Sequence, residues 1–134
     1  MILQVLLFIF GAIGGICRYF IGQELMLNGF PIATLITNLM GAFLLPIWND
    51  RQKERPLLKE VIGVGFFGAF TTFSSAMLDT LTLIIRGQFI ALLIYTLITV
   101  LGGFLLAYLG TSLTGFSHEQ TDEQVIQHEE EADR

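Results

Sequence analysis

The chain has 134 residues, 53% of them hydrophobic and 14% charged, with a mean hydropathy of +0.67, a balance ill suited to a water-soluble enzyme of this size. Its formal net charge of −5 belongs to the tail: residues 1–116 hold six bases and five acids, residues 117–134 one base and seven acids, so overall acidity says nothing about the partners of the main body. The one cysteine, Cys17, and the two histidines, His118 and His128 in the tail, exclude an internal disulfide and a Cys- or His-based metal or redox site in the apolar body. No nucleic-acid partner is expected.

Crossing a hydrocarbon core of roughly 30 Å takes about 20 apolar helical residues, and four stretches have that length. The first, Ile2 to Ile21, lacks a basic leader and a clear small-residue cleavage site before Arg18, so it reads as a retained span. Gly11, Gly14, Gly15, Arg18 and Gly22 fall on one helical face,, and the glycines there suit close helix packing. Arg18 lies about 24 Å along the helix at about 1.5 Å per residue, near the far interface. It either snorkels to headgroups or serves as a vestibule cation that gathers anions; its place at the end of the glycine face favours the second reading.

The second stretch, Phe30 to Trp48, has no charge and sets Thr34, Thr37, Asn38 and Gly41 on one face. A primary amide at mid-span must meet a partner, a water or a ligand, and for Asn38 helix bonding and pore lining are both open. Asp50 to Lys59 follows as the main polar loop, with Arg51, Lys53, Arg55 and Lys59, while the opposite loops hold Glu24 and Arg86. The basic loop is expected in the cytoplasm, and with four spans so are both termini.

The third stretch, Val61 to Ile85, has Gly63, Gly65 and Gly68 and then Thr71, Thr72, Ser74 and Ser75. Glycines and hydroxyls weaken a helix, which predicts a break near Gly68 to Thr71 whose freed carbonyls can coordinate a cation. The competing reading is a continuous helix with Ser and Thr bonded to their own carbonyls. Its single acid, Asp79, lies nearer the non-cytoplasmic end. The fourth stretch, Phe89 to about Leu109, carries Tyr95, Thr96, Thr99, Gly102 and Gly103 in a looser stripe. Ser117 to Arg134 reads as a solvated, disordered tail, with Asp122 to Glu131 able to form a short surface helix.

The fold expected is therefore an all-α membrane protein with four transmembrane helices, the third broken near mid-span: residues 1–116 form the membrane domain and 117–134 the acidic cytoplasmic tail. Hydroxyl and amide donors, phenylalanine edges and one arginine, with no carboxylate facing them, favour an anion. No nucleophile with its base, metal cluster or phosphate loop is present, so no enzymatic activity is expected.

Three runs in order resemble the CrcB/Fluc family of fluoride channels. Gly11-Ala-Ile-Gly14-Gly-Ile-Cys-Arg18-Tyr19 is similar to the family's G-x-x-G-x-x-x-R-Y. Thr34-Leu-Ile-Thr-Asn38-Leu-Met-Gly41-Ala-Phe43 is similar to T-L-x-x-N-x-x-G-x-F, and Gly65-Phe-Phe-Gly68-Ala-Phe-Thr71-Thr72-Phe73-Ser74 to G-F-x-G-x-x-T-T-F-S. The resemblance covers about residues 8–110. It implies an antiparallel dimer in the inner (plasma) membrane, surrounded by lipid, that passes fluoride out of the cell by electrodiffusion through two pores at the dimer interface, conferring fluoride resistance. It further implies roles for Arg18 in the vestibule, for Asn38 in the pore wall, and for Thr72, Phe73, Ser74 and Ser75 along the ion track, with Tyr95 and Thr99 as a looser match on the fourth helix. The backbone carbonyls of Gly68 and Thr71 match the positions that hold a structural sodium ion between subunits. The chain departs from the pattern at Ala76, where the family has a second phenylalanine, and at Pro46, where a glycine is usual.

Two other classes have a similar size and span number. A proton-coupled four-span exporter needs a titratable carboxylate facing its cavity from the first helix, which here has only Arg18; a non-conducting membrane subunit accounts for Ala76 but not for Arg18, Asn38 and the hydroxyl run together. Four bases on one side against Arg86, or Arg86 and Arg18, on the other should fix one orientation. The expected partner is therefore a related four-span chain of opposite orientation, in a heterodimer favoured over a homodimer.

Overall fold

Backbone groups in hydrocarbon must be satisfied within the segment that carries them, which leaves helices as the solution for a chain of this pattern. In the computed structural model, which describes residues 1–24 and 30–114, four helical stretches are long and apolar enough to cross a membrane: Ile2–Gln23, Ile32–Arg51, Pro56–Ile85 and Phe89–Thr114. The acidic tail from Ser117, including the helix considered for Asp122 to Glu131, lies outside the described residues. We label α1 Ile2–Glu24 and α2 Ile32–Arg51. The third span comprises α3 (Pro56–Glu60), a π-helical segment (Val61–Phe66), α4 (Phe67–Phe70) and α5 (Phe73–Ile85). The fourth comprises α6 (Phe89–Leu97), a second π-helical segment (Ile98–Gly102) and α7 (103–114).

Two features differ from the sequence reading. The third span begins within the loop expected over Asp50 to Lys59, because Pro56 occupies the first turn of α3, where its fixed φ fits and its missing N–H costs nothing. The break expected near Gly68 to Thr71 falls at the far end of that range, at Thr71 and Thr72, while Gly68 stays inside α4. The glycines in the helical run serve close packing: a Cβ on Gly65 would meet the Leu7 carbonyl oxygen at 3.2 Å, and one on Gly63 the Asn49 Oδ1 at 3.1 Å.

The glycine face of α1 explains itself in the same way. Gly11 and Gly14 lie against the backbone of Gly65 and Phe66, and a Cβ on Gly14 would overlap the Phe66 carbonyl. On the fourth span, a Cβ on Gly110 would stand 2.5 Å from the Phe43 carbonyl oxygen, so α7 rests on α2 backbone to backbone,. The turn between α5 and α6 closes with Gly87 at φ +67°. Its N–H bonds to Ile84 O and that of Gln88 to Leu83 O, both at 2.9 Å, a glycine-terminated helix end. Next to this turn Leu35, Leu83 and Tyr95 form a small buried core backed by Phe30, Leu39, Ala91 and Leu92. Most other large apolar side chains, such as Phe8, Ile90 and Phe104, point outward, as suits a lipid or partner environment.

The neighbouring glycines of α1 make the packing testable. Gly14→Ala should destabilise the detergent-solubilised protein by on the order of 1–3 kcal/mol, the cost of overpacking, whereas Gly15→Ala, with nothing within 4 Å of the added Cβ, should leave the thermal midpoint in place. Equal losses from the two substitutions would contradict this packing.

Candidate functional site

The break in the third span is built by α2. Thr71 and Thr72 are extended, with ψ of 155° at Thr71 and φ −153°, ψ 120° at Thr72, so the Thr71 carbonyl and both backbone groups of Thr72 leave the helical ladder, while the Thr71 N–H still donates to Phe67 O at 2.9 Å. Asn38 takes up both groups of Thr72: its Nδ2 donates to Thr72 O at 3.0 Å, and the Thr72 N–H donates to its Oδ1 at 2.8 Å. The side chain of Thr72 then caps α5, accepting the Ser75 N–H at 3.2 Å, the role of a threonine N-cap. One turn further along α2, Gly41 leaves the space that the Thr71 methyl fills; a Cβ there would overlap it. The Thr71 hydroxyl donates back to Phe67 O at 2.8 Å.

These bonds divert two helical donors. In an unbroken helix the Thr72 N–H would reach Gly68 O and the Ser75 N–H would reach Thr71 O; here the first goes to Asn38 Oδ1 and the second to Thr72 Oγ1. The carbonyls of Gly68 and Thr71 are thereby released from their helical partners.

A groove of about 410 Å³ opens beside the break, walled by α2, α5 and the fourth span. Asn38, Thr71, Thr72, Phe73, Tyr95 and Thr99 line it, so six of the expected site residues converge. Ser74 and Ser75 stand behind them, each 3.2 Å from the Thr72 hydroxyl, while Gly68 is exposed beyond the lining. Arg18 is half-buried on α1, away from the groove. Phe73 projects outward, 77% exposed, so within one subunit the groove lacks a wall on that side. Ala76, in contrast, is buried at the groove floor.

Tyr95 is 1% exposed, with Phe30 edge-on at a ring-centroid distance of 6.0 Å. Its hydroxyl donates to Asp79 Oδ2 at 3.3 Å, which gives the acid of α5 a donor. Thr99 donates to Tyr95 O at 2.7 Å. The sequence reading assigned no site role to Met77, Thr80 or Thr96, which also line the groove. Phe73, Met77 and Thr80 stand at i, i+4 and i+7 on α5, a helical spacing that could have pointed to the first two of the three.

A family model described as CrcB-like protein, Camphor Resistance (CrcB), matches residues 5–111. The chain belongs to the CrcB family. Among its relatives is a Listeria innocua protein named fluoride-specific ion channel FluC 2, 41% identical over 106 residues, which span 76% of this chain and 82% of that protein. A Staphylococcus aureus protein named fluoride-specific ion channel FluC 1 is 40% identical over 115 residues, 83% of this chain and 95% of the relative. A Listeria monocytogenes FluC 2 is 39% identical over 110 residues. The matched range reaches into all four spans and includes Asn38, Thr71 and Thr72.

For this CrcB chain, Asn38→Ala removes both bonds to Thr72 and should lower stability by about 2–3 kcal/mol, the cost of two unmade hydrogen bonds at a partly buried site. Asn38→Asp retains an acceptor for the Thr72 N–H but sets a carboxylate oxygen against Thr72 O, so thermal unfolding in detergent should show it no better than the alanine variant. Wild-type unfolding by both variants would remove Asn38 from this role.

Proposed function

We propose that the chain is a subunit of a fluoride-specific channel that lets fluoride leave the cell by passive electrodiffusion. The observation that carries this reading is the groove at the Thr71–Thr72 break, where an amide, threonine hydroxyls and the Phe73 ring face one open space in a chain whose relatives are named fluoride-specific ion channels. Fluoride is small and strongly hydrated, so several polar contacts must replace the water it sheds. Phe73 offers the positive edge of its ring, and Asn38 keeps one N–H beyond the one it gives to Thr72,. Arg18 draws anions toward the mouth from its place on α1.

The groove is open on the side of Phe73, and a second four-span subunit in the opposite orientation supplies the missing wall. The basic loop fixes the orientation of this chain: Arg51, Lys53, Arg55 and Lys59 are exposed at one end of the bundle, and Arg86 is exposed at the other. The basic end and both termini face the cytoplasm. A chain held in one orientation needs a different chain for its inverted partner, so a heterodimer is favoured over a homodimer. The partner also brings to one pore the phenylalanine that is Ala76 here. The relatives' names distinguish FluC 1 from FluC 2, which suits chains that work in pairs.

A sodium ion is the expected structural cofactor at the subunit contact. The released carbonyls of Gly68 and Thr71 are hard oxygen donors of the kind that binds such an ion, and their helical donors are diverted to Asn38 and Thr72. The ion would compensate carbonyls that otherwise face apolar surroundings.

The channel, purified from its membrane together with any subunit that accompanies it, should release fluoride from liposomes and retain chloride. Asn38→Asp combined with Phe73→Ala should abolish that flux, and replacing all sodium with a large organic cation should abolish it slowly. Chloride release equal to fluoride release would contradict the assignment. For the pairing, expression of this chain alone with a reporter at its C-terminus should give cytoplasmic signal only and little flux; equal signal on both sides with full unaided flux would establish a homodimer instead.

A further inference from the structure

A halide ion accepts hydrogen bonds and donates none, so a polar wall serves it only through protons that the protein has not already committed. Most hydroxyls facing the groove have committed theirs. Thr71 donates to Phe67 O, Thr80 to Ala76 O at 2.8 Å and Thr99 to Tyr95 O. Thr72 donates to Ser75 Oγ, and Tyr95 to Asp79. As placed, these protons point to protein acceptors rather than into the groove. Thr96 is the exception: it lines the groove, it is exposed, and its hydroxyl has no hydrogen-bond partner among the described residues. Outside the groove Thr37, Thr82 and Thr111 bond back to a carbonyl of their own helix, a common outcome for the residue in an apolar setting.

Placement supports the same point. Tyr95 packs with Leu35, and a Cβ on Gly102 would stand 3.3 Å from Leu39, so Asn38 lies between these two levels of the α2 contact and Thr96 lies beside the level nearer the Arg86–Gln88 turn. The uncommitted N–H of Asn38 and the uncommitted hydroxyl of Thr96 thus occupy successive levels of one groove. We infer that Thr96 is a further ion-binding residue of this channel, donating its hydroxyl proton to fluoride on the step between Asn38 and the end of the pore marked by the Arg86–Gln88 turn. This rests on the fluoride-channel reading above. The committed threonines hold the wall together, and Thr96 joins Asn38 and Phe73 in touching the ion.

The test measures fluoride efflux from liposomes holding the channel as purified, with any accompanying subunit. Thr96→Val keeps the shape and removes the donor, and flux should fall about tenfold, the effect of one hydrogen bond to a charged partner. Thr96→Ala should fall as far, which covers the case of a valine variant that does not assemble. Thr96→Ser restores a donor and should return flux to within about twofold to threefold of the unmodified protein, on the same scale. Thr82→Val, outside the groove, should leave it unchanged. Unmodified flux from Thr96→Val or Thr96→Ala in a conducting channel, or failure of Thr96→Ser to recover it, would overturn the assignment of Thr96 alone. A channel that passes no fluoride before substitution would overturn the channel reading itself.

Discussion

The pair of hydrogen bonds between the Asn38 amide and the backbone of Thr72 is the interaction on which the rest of the site depends. A helix that breaks inside a membrane must find other partners for the groups it frees, and no water is at hand in hydrocarbon to supply them. Asn38 supplies a donor and an acceptor from one side chain. With that satisfied, Thr72 is free to cap the outgoing helix, and α5 restarts with Phe73 as its first residue. The outward projection of Phe73, the release of the Gly68 and Thr71 carbonyls and the opening of the groove all follow from this one substitution of side chain for backbone.

The interaction also explains why α2 must carry a glycine at position 41. The amide can reach Thr72 only if the break comes close, and the methyl of Thr71 then fills the place where a side chain on residue 41 would stand. The glycines of α1 play the matching part on the other side of the third span. Gly11 and Gly14 admit the backbone of Gly65 and Phe66, which holds the incoming half of the broken span while α2 holds the break itself. Small residues and one amide do by contact what a hydrophobic core does in a soluble protein, because apolar burial gives no preference for protein over lipid.

Much of this was legible in the sequence. Span number, the packing role of the α1 glycines and the existence of a break came from composition and helical spacing, since hydrocarbon thickness and backbone satisfaction leave few alternatives. The demand for a partner at Asn38 was also legible; that the partner is the backbone of Thr72 was not, because it lies 34 residues away and depends on how two helices cross. The position of the break followed side-chain replacements, Asn38 and Thr72, more than glycine content: Gly63 and Gly65 stay helical. The π-helical segments at Val61–Phe66 and Ile98–Gly102 have no local signature that distinguishes them from α-helix. Thr96 belongs to the legible stripe of the fourth span, but its open hydroxyl stands out only against the other groove threonines and Tyr95, whose protons have acceptors.

Backbone carbon chemical shifts of Thr71 and Thr72, measured by solid-state NMR on the channel in lipid bilayers, test the central claim most directly. The account predicts extended values at both residues, with a through-space correlation between the Thr72 amide nitrogen and the Asn38 side chain. Helical shifts at Thr71 and Thr72, with the Thr72 amide bonded to Gly68 in a continuous helix, would contradict it.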